Sequence, residues 1–187
     1  YKAYSMKGTF GDNQPLAVSF QLSNGLTRWV LGMVLNMPTP KQRADIMHRF
    51  IEVAKHLRQF QNFNSLMAVM GGLCHSTIVR LSKTMMYLSY DDQKIINEYS
   101  ELLSSSYNYG QYRKATSDLQ TKFWIPIICI HLKDIISLHT ANLDILENGL
   151  INFRKMAQLS VIFQNITDLQ NSVPPCQESR DVIKILQ

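Results

Sequence analysis

Residues 124–139 read WIPIICIHLKDIISLH, a run in which ten residues are Trp, Ile, Leu or Cys. The run is too short and too charged to cross a bilayer, which takes about 20 apolar residues. Wound as a helix, it sets Ile125, Ile128, Leu132 and Ile135 on one stripe, at spacings of three and four, that can face a core. Ile127, Ile130 and Leu138 then fall on the opposite side, where water would ordinarily be. A surface helix normally buries one stripe, so this one needs cover on two faces.

Helical period recurs along most of the chain. Thr39-Pro40-Lys41-Gln42 is a start signal, with Thr as N-cap, Pro at the first helical position and Gln reaching back from the third. Ile46, Phe50, Val53, Ala54 and Leu57 follow on one face. Asn64 is expected to cap the next helix, whose stripe is Leu66, Val69, Met70 and Leu73. Ser89 opens another, with Ile95, Tyr99, Leu102 and Leu103 expected inside. Asn148-Gly149 marks a turn, after which Phe153, Met156, Leu159, Phe163, Ile166 and Leu169 carry a long helix to Pro174-Pro175. No alternating strand pattern, repeat or low-complexity tract appears. The expected fold is all-α, and the helices on either side of the Asn148-Gly149 turn are expected to form a hairpin.

A chain of 187 residues fits one domain, or two small ones, and can bury a core without staples. Its 45% hydrophobic and 18% charged residues are a globular composition. Cys74, Cys129 and Cys176 are odd in number and far apart, which suits a reducing compartment. The polar opening YKAYSMKGTFGDN is no secretory signal, and both ends read as mid-flow. The expectation is a cytosolic domain, 1–187, incomplete at both ends. Its net charge of +5 is spread over scattered Lys and Arg and reads as a solvated surface.

Motifs for chemistry are missing. The five histidines make no HxxxH or HExxH pair, so no metal or other cofactor is expected. There is no GxSxG elbow, and Cys74-His75, adjacent in sequence, cannot supply nucleophile–base geometry. Gly71-Gly72 lacks a phosphate-loop context and suits close helix packing or a helix end. The basic and aromatic cluster from Tyr107 to Lys114 would suit nucleic acid, and a helical interaction scaffold is the other alternative.

Several long motifs, in order, carry a family resemblance: NGLTRWVLGMVLNMPTPKQRA, LRQFQNFNSLMAVMGGLCHSTIVRLSKT, IPIICIHLKDIISLH and GLINFRKMAQLS, with DNQPL near the start. Together they resemble the catalytic domain of Ras-type guanine-nucleotide exchange factors, in the Ras guanyl-releasing branch. The resemblance implies an irregular helical bundle with a protruding helical hairpin at about residues 124–172. It implies an exchange catalyst that acts by protein–protein binding, without covalent chemistry or cofactor. The partner would be a Ras- or Rap-family small GTPase, bound most tightly without nucleotide, and no nucleic acid. The hairpin would wedge against switch I, so the second apolar face would be covered partly by the domain and partly by the partner.

Residue by residue, Phe20, Met67, Tyr109 and Ile127 match a pocket for a switch II tyrosine. Cys74, Asn108 and Lys133 fall at further GTPase-binding positions. Ile136 matches the apolar hairpin residue that intrudes on the GTPase's magnesium site. Thr140 stands where other exchangers carry a glutamate toward the phosphate loop, and these two form the expected catalytic tip. Cys129 replaces a family glycine on the hairpin helix. The branch's calcium- and lipid-binding modules are expected outside this chain, so membrane recruitment of this cytoplasmic domain would depend on them.

Overall fold

Thr39 begins a helix as its neighbours require. Its Oγ1 accepts from the Gln42 N–H at 3.3 Å, and Gln42 Oε1 accepts from the Thr39 N–H at 3.3 Å, a reciprocal capping box. The computed structural model describes residues 14–119, 123–174 and 179; Pro175, Cys176 and the closing DVIKILQ lie outside them. Its helices are α1 (Gln14–Leu35), α2 (Pro40–Gln59), α3 (Phe63–Leu73), α4 (Ser76–Val79), α5 (Ser82–Met85), α6 (Tyr90–Leu102), α7 (Ser106–Ser117), α8 (Ile128–Ala141) and α9 (Phe153–Gln170). Among the described residues there is no strand, only two isolated bridges, Asn62 to Ile125 and Ile145 to Ile151. The fold is all-α.

Two expected details need correction. Asn62 caps α3, its side chain accepting from the Ser65 N–H at 3.0 Å, because Asn64 already lies within the helix. Asn64 instead donates Nδ2 to Ser23 Oγ of α1 at 3.0 Å. On α2 the inward stripe runs through Ala44, Met47, Phe50, Ile51 and Ala54, which turns Val53 outward to 45% exposure. The expected stripe of α3 and the expected start of α6 stand. Leu66, Val69, Met70 and Leu73 of α3 are buried, and Ser89 caps α6, accepting from the Asp92 N–H at 3.0 Å.

Crossing of α1 over α3 organises the body. Val30 and Val34 are fully buried, and Thr27 Oγ1 donates to the Ala68 carbonyl of α3 at 2.9 Å. Gly72 permits this approach. A Cβ there would stand 2.7 Å from Val30 Cβ and Cγ1 and 3.0 Å from the Thr27 carbonyl oxygen. At Gly71 a Cβ would meet only the Thr27 side chain, at 3.7 Å. The two adjacent glycines therefore differ: only Gly72 is required by packing.

The last two helices form the expected hairpin, α8 packing on α9. Gly149, with φ +79°, turns the connection, and Asn152 caps α9 by accepting from the Lys155 N–H at 3.1 Å. Of the stripe expected to face the core from α8, only Ile135 is buried, at 2% exposure. Ile127 and Ile130 are in the core at 1% and 3% exposure, while Ile125, Ile128 and Leu132 are only half-buried. Helix α8 begins at Ile128, and the extended segment before it carries Ile127 inward, setting a helix phase that periodicity alone does not see. The apolar stripe of α9 is largely open, with Phe153 78% and Phe163 44% exposed and Leu159, Ile166 and Leu169 half-buried.

The glycine contrast is measurable. Gly72→Ala is expected to lower unfolding stability by about 1–3 kcal/mol through overpacking against Val30. Gly71→Ala is expected to be neutral or to add up to about 1 kcal/mol from helix propensity. Urea unfolding of both variants checks this; equal effects would show that Gly72 is not the contact point.

Candidate functional site

A knot of rings roots the hairpin in the body. Phe63 of α3, Tyr112 of α7, Trp124 and His131 of α8 lie edge to face or tilted, with centroids 5.3–6.5 Å apart. The buried Tyr112 hydroxyl accepts from the Ile127 N–H at 3.1 Å and lies 3.1 Å from His131 Nε2. Burial pushes the Tyr112 phenol up to about 12 and holds His131 below its ordinary range. A neutral imidazole with Nε2 unprotonated lets one hydroxyl accept from Ile127 and donate to His131. Beside it, the Phe63 N–H donates to the Ile125 carbonyl and the Ile125 N–H to the Gln61 carbonyl, both at 3.0 Å.

The opposite end of the hairpin is held by a buried lysine. Lys155 of α9 is 2% exposed, and its Nζ donates to the carbonyls of His139 at 2.9 Å and Asn142 at 2.8 Å and to Asp144 Oδ1 at 2.6 Å. It satisfies orphan carbonyls at the C-terminus of α8, where a cation also complements the helix dipole. The hydrogen bond from Lys155 holds the Asp144 carboxyl below its usual range. The scattered Lys and Arg read from sequence as a solvated surface, and Lys155 is the correction to that, being buried; no local pattern announces a lysine that caps a neighbouring helix. Next to this clamp, Ile136 is half-buried and Thr140 exposed, with Thr140 Oγ1 donating to the Ile136 carbonyl at 2.9 Å. From the last buried residue of α8, Ile135, to Thr140 the helix rises about 7–8 Å.

A strained turn lies at the start of α7. Tyr107, Asn108 and Tyr109 have φ of 52°, 54° and 62°, three consecutive left-handed residues without a glycine among them. Each costs about 1–2 kcal/mol, with Asn the most tolerant. The turn leaves Tyr107 97% exposed and Asn108 exposed, and brings Tyr109 half-buried against the core. Arg113 braces it, Nε donating to the Asn108 carbonyl at 2.7 Å. Its two terminal nitrogens donate to Asp134 of α8 at 2.8 Å each. The Tyr107–Lys114 cluster, readable as a nucleic-acid surface in sequence, is thus partly committed to internal bonds.

The remaining named residues are distributed around this frame. Met67 on α3, Cys74 at its C-cap and Tyr109 on α7 sit at the margin of one core. Cys74 Sγ lies 3.2 Å from Ser100 Oγ of α6. Phe20 is half-buried on α1, and Lys133 is exposed on α8. The supporting helices pack in succession, α1 on α3, α3 on α6 and α6 on α7. Ile127 departs from expectation: at 1% exposure it lies beneath the surface, drawn in by the Tyr112 bond. Cys129 is exposed, so a side chain larger than glycine meets no tight packing there. Apart from these, His48, Glu52 and Asp92 bring ligand atoms within 4.8 Å of one another. Those atoms are already engaged: His48 Nδ1 with Asp92 at 2.9 Å, Ser89 with Asp92 at 2.8 Å, and Lys55 with Glu52 at 2.6 Å.

The chain matches the RasGEF domain over residues 2–157, and it belongs to that family. It is 46% identical over 186 residues to RAS guanyl-releasing protein 1 of Xenopus laevis, covering 100% of this chain and 23% of that protein. Identity is 45% over 186 residues to Ras guanyl-releasing protein 3 of Homo sapiens, covering 100% and 27%. It is 43% over 185 residues to RAS guanyl-releasing protein 4 of Rattus norvegicus, covering 99% and 27%. The chain thus spans about a quarter of the length of these relatives. No helix among the described residues is long and apolar enough to cross a membrane.

Strain and clamp each yield a test. Tyr107→Gly is expected to raise unfolding stability by about 1 kcal/mol, because glycine adopts the left-handed conformation freely; a lower value would place the strain elsewhere. Lys155→Met is expected to lower unfolding stability by about 1.5–3 kcal/mol and to speed exchange of the amides of the last turn of α8 about tenfold or more, since charged hydrogen bonds are lost there. Unaltered exchange at that turn would mean that Lys155 does not hold the tip.

Proposed function

We propose that this domain is a guanine-nucleotide exchange catalyst for a Ras- or Rap-family small GTPase. The observation that carries the reading is the hairpin itself, fastened to the core at Ile127 and Ile130 and clamped by Lys155 beside an exposed tip. A wedge needs a rigid base and a rigid point, and this hairpin has a fastening for each. Family membership supplies the partner class, and the relatives' name, guanyl-releasing, the direction of the activity.

Exchange needs no covalent step. A GTPase holding GDP at about picomolar affinity gains roughly 16 kcal/mol from it, and release is correspondingly slow. A protein that binds the nucleotide-free form better than the loaded form weakens the nucleotide by the same factor, because coupling is reciprocal. In this proposal Phe20, Met67 and Tyr109, with Cys74 and Asn108 beside them, grip switch II. Buried apolar anchors of that kind dominate interface energies. Ile127 supports the grip from below, and Lys133 meets the partner from α8. The binding energy so gained drives Ile136 and Thr140 against switch I and the magnesium site. Threonine carries no charge to mimic a phosphate, so displacement at the tip is steric. Regulation and membrane recruitment would belong to regions outside this chain.

Release of fluorescent GDP from a panel of Ras, Rap and R-Ras proteins tests the reading. The protein is expected to accelerate release from at least one of them, and salt-sensitive binding to DNA or RNA with no effect on any would overturn it. Ile136→Ala is the accompanying variant. Its half-buried side chain makes the expected stability loss about 1–2 kcal/mol, below the roughly 2–5 kcal/mol of a core isoleucine. Maximal exchange is expected to fall at least about tenfold; full-rate exchange by a folded Ile136→Ala protein would remove the residue from the wedge.

A further inference from the structure

One guanidinium joins the two halves of the proposed site. Arg113 of α7 donates through Nη1 and Nη2 to Asp134 Oδ2 and Oδ1 of α8, 2.8 Å each, a bidentate fork. Through Nε it donates to the Asn108 carbonyl at 2.7 Å. Asn108 is the middle one of three left-handed residues, so the direction of that carbonyl depends on the strained conformation. Asp134 stands two positions before Ile136, on the helix whose base is in the core and whose end is exposed. Both groups are partly shielded from water, at 35% side-chain exposure for Arg113 and 23% for Asp134.

The guanidinium is planar and rigid, which fixes its three bonds relative to one another. Asp134 cannot shift with α8 without either breaking the fork or swinging Nε away from the Asn108 carbonyl. Loss of the Nε bond leaves the strained turn less held. We infer that Arg113 is a positioning residue for exchange: it locks the turn that carries Asn108 and Tyr109 to the hairpin helix, so that the switch II grip and the wedge keep one relative placement. This rests on the exchange reading above. Lysine does not reproduce this arrangement: its three donors radiate from one atom on a flexible stem, with no planar fork to engage both carboxylate oxygens while a separate Nε–H points at the Asn108 carbonyl.

The test uses Arg113→Lys, Asp134→Asn and the double variant, in the same protein. For coupling along one network, each single change is expected to lower maximal GDP release about three- to tenfold with little change in the GTPase concentration at half-maximal rate. The double variant is expected to be no slower than the slower single one, because either change already breaks the link. Singles that multiply in the double variant, or an Arg113→Lys protein at the original rate, overturn the inference. A readout free of the GTPase separates this from failure of the exchange reading. Asp134→Asn, a change on α8, is expected to shift the Asn108 and Tyr109 amide resonances and to speed their hydrogen exchange. If those resonances stay in place, the coupling is absent whatever the protein does to nucleotide.

Discussion

The buried hydroxyl of Tyr112 is the contact on which the placement of the hairpin depends. It receives the Ile127 N–H one residue before α8 begins and meets His131 one turn into it. Those two bonds set where the helix starts and which way it is rotated. An unsatisfied Ile127 amide in this setting would cost about 1–3 kcal/mol, so the arrangement has little freedom to slip. Phe63 and Trp124 close around the pair and transmit the placement to α3, the same helix that α1 crosses at Gly72. Hairpin and body are therefore referenced to one element.

Polar groups do unusual duty along the hairpin. The apolar stripe of α9 is half open, yet the one residue of α9 that is fully buried is a lysine. A hairpin held only by apolar contact with its partner helix could slide or fray. Carbonyls gripped by a buried ammonium have defined directions, and hydrogen bonds at the two ends of α8 fix its length and turn. Such a device suits a part that must press on another protein without yielding. The proposed exchange mechanism asks for that property, because binding energy used to deform the wedge would be unavailable to open the nucleotide site.

Strain is concentrated on the other half of the proposed surface. Three left-handed residues persist only where the surroundings over-determine them, and such outliers cluster at working sites. Here Tyr109 is anchored at the core margin and the Asn108 carbonyl is tied to Arg113. Two distant parts of the chain thus share one bracing residue.

By itself, the sequence determined the all-α class, the capped starts at Thr39 and Ser89, the buried stripe of α3 and the hairpin about Gly149, because each follows from period, capping chemistry or turn preference within a few residues. Its long motifs also carried the family. Tertiary structure alone decided which face of α8 turns inward, that Val53 faces out, and that Ile127 lies under the surface. Rotation of a helix is set by where its first residues are tied down, and here the tie comes from Tyr112, fifteen residues earlier. The left-handed turn, the Lys155 clamp and the Arg113 brace were equally invisible, since none has a local signature: no glycine marks the turn, and the carboxylates that the two cations engage, Asp144 and Asp134, lie on other segments. Periodicity reports what a segment prefers alone; these features depend on groups from other segments arriving at the right distance.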